Sequence, residues 1–160
     1  MKRDSRLSGV LHILLHMSRA DGPVTSDALS RMMQTNPVVV RRILSGLRKQ
    51  GFVVSEKGHG GGWRLARDLR TVTLHDIYVA LDRPAIIAMG NRSESPDCLV
   101  EQAVNTAMDQ AFQDAEAVLL ARFREVTLAE LSEDVRQHLP DHHLYRDKEQ
   151  IHGCGEYDDV

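Results

Sequence analysis

Apolar residues recur at helical spacing from about Arg6 to Arg19. Leu7, Val10, Leu11, Leu14 and Met17 share one side, while Ser8, His12 and Arg19 fall on others. Asp21, Gly22 and Pro23 close that segment. A second, shorter helix is expected behind Thr25 as N-cap, with Ala28, Leu29, Met32 and Met33 on its apolar side. A third is expected from Asn36, whose side chain can cap free N–H groups, and Pro37, whose missing N–H costs nothing at a first helical position. Val40, Ile43, Leu44 and Leu47 form its buried stripe, and it ends before Gly51. The period then shortens: Phe52–Val54 and Trp63–Leu65 read as two strands. The loop between them, residues 55–62, is too rich in glycine for a helix or strand interior. Thr73 can cap a fourth helix through Leu74, Ile77, Val79, Ala80 and Leu81, packing back on the first three.

After an irregular stretch from Pro84 to Pro96, a long helix is expected with Ser95 as N-cap and Pro96 at its first position, reaching Arg124. At about 1.5 Å per residue it would be roughly 40 Å long. Val100, Val104, Ala107, Ala111, Ala115, Val118 and Leu119 line one of its sides. A chain of 160 residues has little body against which to bury such a stripe. The matching helix of a second subunit would cover it, and the alanines permit close approach. Thr127 and Glu130 form a capping box for a last short helix through Leu131 and Val135, and beyond His138 the tail is polar and acidic. The fold class is therefore mainly α with a small β-hairpin: a winged helix-turn-helix plus a long C-terminal dimerisation helix. Its parts are a winged-helix domain over 1–83, then linker, long helix and short helix over 84–137, then a tail over 138–160.

Charge sharpens this division. Up to Arg83 there are 14 Lys or Arg against 7 Asp or Glu; from Pro84 onward there are 6 against 16. Only the first half suits a polyanion. No apolar run reaches the roughly 18–20 residues that span a bilayer, and the opening residues lead into no secretory stretch. With two cysteines, Cys98 and Cys154, no disulfide framework is expected, and a cytoplasmic protein with reduced thiols is the default. No membrane partner is expected.

Residues 39–53 (VVRRILSGLRKQGFV), followed by 58–66 (GHGGGWRLA), strongly resemble one family. These are the bacterial winged-helix regulators that include IscR, NsrR and CymR. Residues 72–81 (VTLHDIYVAL) resemble the segment behind that family's wing. The resemblance spans about Leu7 to Asp82. It implies a homodimer whose long helices cross, recognition helices in successive major grooves and wings in the flanking minor grooves. It thus implies a regulator, expected to be a repressor, acting on a palindromic site in double-stranded DNA.

With Val40, Ile43, Leu44 and Leu47 inward, the outer face of the third helix carries Asn36, Val38, Val39, Arg41, Arg42, Ser45, Arg48 and Lys49. Its early residues would enter the groove, so Asn36, Val38, Val39 and Arg42 are the candidates for base contact. Asparagine suits adenine, arginine guanine, and valine methyls thymine. Arg48, Lys49 and Lys57 suit phosphates. Gly60, Gly61 and Gly62 allow close backbone approach to the sugar-phosphate edge, and His59 or Arg64 can probe the minor groove. The iron–sulfur sensors resemble one another in placing glutamate where this chain has Arg41. Glutamate accepts from cytosine whereas arginine donates to guanine, so their operator is not carried over.

The signal is less determined. Iron–sulfur members of the family carry three closely spaced cysteines near the start of the long helix, where this chain has Cys98 alone. Such clusters need several thiolates, so no cofactor is expected. A metal held by His138, His142, His143, His152 and Cys154 is conceivable, but their spacing matches no specific motif, and no metal is expected. Cys98, in the first turn of the long helix, is the candidate sensor through its thiol; a Cys98–Cys154 disulfide, a small-molecule effector or a partner protein are the other routes. An enzyme is not expected, because no nucleophile–base constellation can be placed. The alternative is a winged-helix protein-interaction adaptor without DNA readout, which would not require the line of cations from Arg41 to Arg64.

Overall fold

A computed structural model of the chain describes residues 5–91, 93 and 97–138. The helix-turn-helix is built from α1 (Arg6–Ser18), α2 (Ser26–Met32) and α3 (Pro37–Lys49). The wing is β1 (Val53–Glu56) and β2 (Gly62–Leu65), followed by a single 3₁₀ turn at Leu69–Thr71. Then come α4 (Leu74–Ala80), the long α5 (Leu99–Glu125) and α6 (Leu128–His138).

Local chemistry sets each boundary. Thr25 Oγ1 accepts from the Ala28 N–H at 3.2 Å and opens α2. The turn into α3 places Gln34 at φ +50°, and the Thr35 N–H closes back on the Ser30 carbonyl at 3.0 Å. That bond satisfies a carbonyl that the end of α2 would otherwise leave open. Asn36 Oδ1 then accepts from the Val38 N–H at 2.8 Å, with Pro37 at the first turn of α3. At the other end Gly51 takes φ +76°, and the Phe52 N–H returns to the Leu47 carbonyl at 3.0 Å. Phe52 thus belongs to the end of the helix rather than to the strand, so β1 starts one residue later than the apolar run suggests.

β1 and β2 pair antiparallel, with Val53 opposite Leu65 and Ser55 opposite Trp63. Val24, just before α2, adds a bridge on the far side of β2. It exchanges both backbone hydrogen bonds with Trp63, at 2.9 and 2.8 Å. The core lies beneath these elements: Val10, Ile13 and Leu14 of α1, Leu29, Val40, Leu44 and Leu47, Val53, and Ile77 of α4 are almost wholly buried.

Thr73 caps α4 reciprocally with Asp76. The chain behind α5 returns to this point: Thr73 and Thr127 form a bridge, and the Leu128 N–H donates to the Val72 carbonyl at 2.9 Å. Thr127 and Glu130 close the expected capping box, with the Thr127 N–H donating to Glu130 Oε2 at 2.8 Å. Leu128 enters the same core as α1 and α4 at 1% exposure. The final helix is therefore part of the body that holds α3.

α5 differs from its expected start. Cys98 is its N-cap and Leu99 its first residue, so Cys98 stands at the entrance of the helix rather than inside its first turn. Ser95 and Pro96, read as N-cap and first position, lie outside the described residues, as do Cys154 and the tail histidines beyond His138. α5 packs one side against α4, where the rings of Tyr78 and Phe123 meet edge-on at 6.1 Å. None of its 27 residues is buried.

Replacing Leu128 by alanine should lower unfolding free energy by about 2–5 kcal/mol, the usual cost of a large buried aliphatic truncation. Denaturant unfolding of the purified variant measures it. A loss below about 0.5 kcal/mol, the range of ordinary surface substitutions, would show that α6 is not part of the common core.

Candidate nucleic-acid interface

The outer face of α3 is set by its inner one. Because Val40, Leu44 and Leu47 point into the core, Val38, Val39, Arg41, Arg42, Arg48 and Lys49 project outward and are exposed, with Ser45 half-exposed among them. Val38 is 64% and Val39 45% exposed, which is unusual for large apolar side chains and leaves their methyl groups open to a partner. Asn36 is exposed but committed in part: its Oδ1 holds the Val38 N–H, so Nδ2 is the group left to donate outward. Arg41 Nε donates to the Pro37 carbonyl at 3.3 Å, which lays this side chain back along the first turn of α3. Arg42 has no comparable hydrogen bond among the described residues.

The wing splits the remaining candidates into two groups. Lys57, His59 and Gly60 sit at its exposed tip. Gly58 and Gly60 take φ +96° and +80° with open space around them, so the tip needs glycine for its turn. Gly61 and Gly62 have a different reason. A Cβ on Gly61 would strike the Glu56 carbonyl, and one on Gly62 would lie 2.6 Å from the Val24 carbonyl oxygen. These two glycines let the hairpin close on itself and on the segment before α2. Arg64 is paired with Glu56 at 3.1 Å across the hairpin, with both partners about half exposed. Arg48 donates to Ser55 Oγ at 3.0 Å, so the last turn of α3 touches β1 directly.

Away from this face, Val100, Val104, Ala107, Ala111, Ala115, Val118 and Leu119 are all exposed along α5. Cys98, at its N-cap, is also exposed. The backbone amides of Glu101 and then Val100, unpaired at the helix start, hold its thiol below the ordinary value.

A cationic helix face beside a glycine-tipped hairpin is an arrangement this chain shares with known proteins. The Rrf2 family model, described as an iron-dependent transcriptional regulator, matches residues 3–134. The chain belongs to the Rrf2 family. It is 31% identical over 137 residues to YwnA of Bacillus subtilis, named as a candidate helix-turn-helix transcriptional regulator; the match covers 85% of this chain and 98% of YwnA. Among solved structures, a candidate transcriptional regulator from Lactobacillus plantarum superposes with a TM-score of 0.69 at 26% identity, covering 85% of this chain and 93% of that one. CymR, the global cysteine regulator of B. subtilis, shares the fold with a TM-score of 0.56 at 21% identity, over 84% of this chain and 98% of its own. The protein is thus a DNA-binding transcription regulator of a family whose relatives are regulators rather than enzymes.

The Rrf2 family model is described as iron-dependent, but the donors described here do not suit an iron–sulfur cluster. Among the described residues no three of His, Cys, Asp and Glu come together, and Cys98 supplies a single exposed thiol. No helix among them is long and apolar enough to cross a membrane.

Two residues that join α3, the wing and α4 in this Rrf2 protein were not apparent as such in the sequence. Arg67, just past β2, donates to the Gln50 and Gly51 carbonyls at 2.8 and 3.1 Å, and its guanidinium covers the Phe52 ring at 4.3 Å. It clamps the end of α3 to the end of the wing. Gln50 in turn donates to the Ala80 carbonyl at the end of α4, at 3.0 Å. Both contacts are long-range in sequence, and an arginine behind a strand carries no local signal of them.

Gly62→Ala should destabilise the fold by about 1–3 kcal/mol, because the new methyl meets backbone that can yield only by giving up the Val24–Trp63 bridge. Gly58→Ala, in open space, should cost less, and only through its positive φ. Thermal unfolding of the two variants tests this; equal losses would show that the Val24 contact does not constrain Gly62.

Proposed function

We propose that this Rrf2 regulator is a cytoplasmic, homodimeric repressor that reads a palindromic operator, with its signal entering through the α5 half. The observation that carries the proposal is the outward face of α3, where exposed valines and cations lie together and where Arg48 touches the first wing strand at Ser55. In this reading residues 1–83 are the DNA-binding domain, and residues 84–137 the dimerising and signal-receiving part.

Val38, Val39 and Arg42 enter the major groove. Asn36 joins them through Nδ2, and Arg41 reads from the first turn. Ser45, Arg48 and Lys49 follow the backbone, and Lys57, His59 and Gly60 bring the wing tip to the flanking minor groove. Arg64 contributes only by exchanging its Glu56 partner for a phosphate. Gly61 and Gly62 contribute by shaping the hairpin.

The exposed stripe on α5 supports a second subunit. Val100, Val104, Val118 and Leu119 are 72%, 50%, 73% and 36% exposed, and Ala107, Ala111 and Ala115 lie between them. A row of this kind is covered by a like helix at close approach. Cys98 lies at the N-terminal end of the same helix, so thiol oxidation or ligand attachment there acts on the dimer joint without touching α3. A small-molecule effector or a partner protein bound at that joint has the same mechanical leverage.

Arg42→Ala is expected to lose about 1–3 kcal/mol of binding at one operator position, as for a bidentate base contact. Lys49→Ala should weaken all sequences evenly and make the salt dependence shallower. Gel shifts of a selected operator and a scrambled duplex at two salt concentrations distinguish the two. Equal losses on both duplexes for both variants would displace Arg42 from the reading face. No salt-dependent binding in the wild type would leave the adaptor reading.

Val104→Glu combined with Ala111→Glu should convert the protein to monomer in sedimentation and remove high-affinity operator binding, since one subunit holds one half-site. A wild type that is monomeric at micromolar concentration and binds operator as a monomer would sink the dimer.

A further inference from the structure

His12 and His16 stand one turn apart on α1, and neither belongs to the α3 face, the wing or the exposed side of α5. Their Nε2 atoms are 2.8 Å apart, the ring centroids 4.6 Å apart and the ring planes inclined at 51°. Both side chains are half-buried. We propose that this pair is a two-imidazole site for a borderline divalent transition metal, with copper(II) and nickel(II) preferred over zinc(II).

The spacing on the helix places both rings on one face, since residues four apart are neighbours there. At 2.8 Å one Nε2 must donate and the other accept, because two lone pairs or two N–H groups at that distance repel. The centroids are closer than two rings meeting head-on across that separation would be, so the rings are bent toward one another rather than opposed in line. Moving the donating ring's proton from Nε2 to Nδ1 presents both Nε2 lone pairs to a cation and requires no net proton loss.

The separation also selects among metals. Two imidazole nitrogens at about 2.0–2.1 Å from one ion stand roughly 2.9 Å apart when cis at a right angle, and about 3.3–3.4 Å apart in a tetrahedron. The observed 2.8 Å matches the cis arrangement. Tetragonal geometry with nitrogen donors is that of copper(II) and nickel(II), and intrinsic affinity runs in the same order. Zinc would require the rings to part by about half an ångström. Among the described residues no third His, Cys, Asp or Glu gathers with the pair, so it counts there as a two-donor site. The site is then an exchangeable one, weaker than a closed four-ligand centre. It shares no donor with the cysteine region at the start of α5.

Titration calorimetry of the full chain with nickel(II), at near-neutral pH in a non-chelating buffer, tests the site. The wild type should bind one more equivalent than His12→Gln or His16→Gln, while His142→Gln combined with His143→Gln should keep that equivalent. Unchanged stoichiometry in the first two variants would overturn the proposal. If either fails to fold by circular dichroism, imidazole nitrogen NMR of the wild type decides: substoichiometric nickel(II) should broaden the His12 and His16 resonances together. Sharp resonances would sink the site. Copper(II) displaced by equimolar zinc(II) from this pair would overturn the cis geometry.

Discussion

The geometry of the helix-turn-helix and its wing depends on one short backbone pairing, that of Val24 with Trp63. It is only two hydrogen bonds, but it joins the segment that opens α2 to the middle of the second wing strand. Trp63 reinforces it twice. Its ring is buried, which contributes about 1.5–3 kcal/mol for a large side chain, and its Nε1–H donates to Ser26 Oγ at 2.9 Å. An unanchored two-stranded hairpin is marginal in water. Here the hairpin gains a third backbone partner and a core anchor, so its strands are held at a fixed place on the helices. Gly62 is what permits the approach, and Arg67 closes the opposite side by gripping the end of α3.

The second constraint is the unequal treatment of α5. A helix of 27 residues without one buried side chain gains little burial from the rest of its own chain. It is held through the α4 contact and through polar straps: Asn91 Nδ2 donates to Asp109 Oδ1 at 2.8 Å, and Asn105 Nδ2 to the Ser93 carbonyl at 2.7 Å. These bonds lay part of the linker along the helix and leave the apolar stripe clear. The covered side carries the aromatic Phe123, and the open side carries alanines and valines. That division suits one face built for its own chain and another left to a close-packed partner.

Much of this was readable from pattern. α1 to α4 follow from periodicity and from caps at Thr25, Asn36 and Thr73, because these signals are local and each residue acts on amides two or three positions away. The Thr127–Glu130 box was readable for the same reason. What escaped was non-local. Leu128 looks like any first residue of a short helix, and nothing near it announces that it enters the core shared with α1 and α4. Gly61 and Gly62 stand in a run whose glycines look alike, but two serve the turn and two serve contacts with Glu56 and Val24. Arg64 and Arg41 read as free cations, while the fold gives one a carboxylate and the other a carbonyl. The start of α5 was displaced because Ser95 and Pro96 form a stronger capping signal than Cys98, which has the thiol's weak hydrogen-bonding capacity.

Between the two halves stands α4, and its contacts dictate how they can move. Tyr78 is buried at its junction with α5, where desolvation and then the Glu116 carboxylate push its phenol pKa up and keep it neutral. Two turns of helix lie between Thr73 and Ala80. Thr73 is bridged to the start of α6, and the Ala80 carbonyl takes the hydrogen bond from Gln50 at the end of α3. A displacement of α5 that keeps the Tyr78–Phe123 packing must carry α4 with it. α4 cannot tilt without loading the Gln50 contact at one end and the Thr127 bridge at the other. Because packed interiors resist gradual deformation, the inexpensive motion is a rotation of the helix-turn-helix and its wing together about the joint at α5. Such a rotation leaves the angle between α3 and the wing intact and changes only where that pair stands relative to α5, which is the lever the proposed signal at α5 would use.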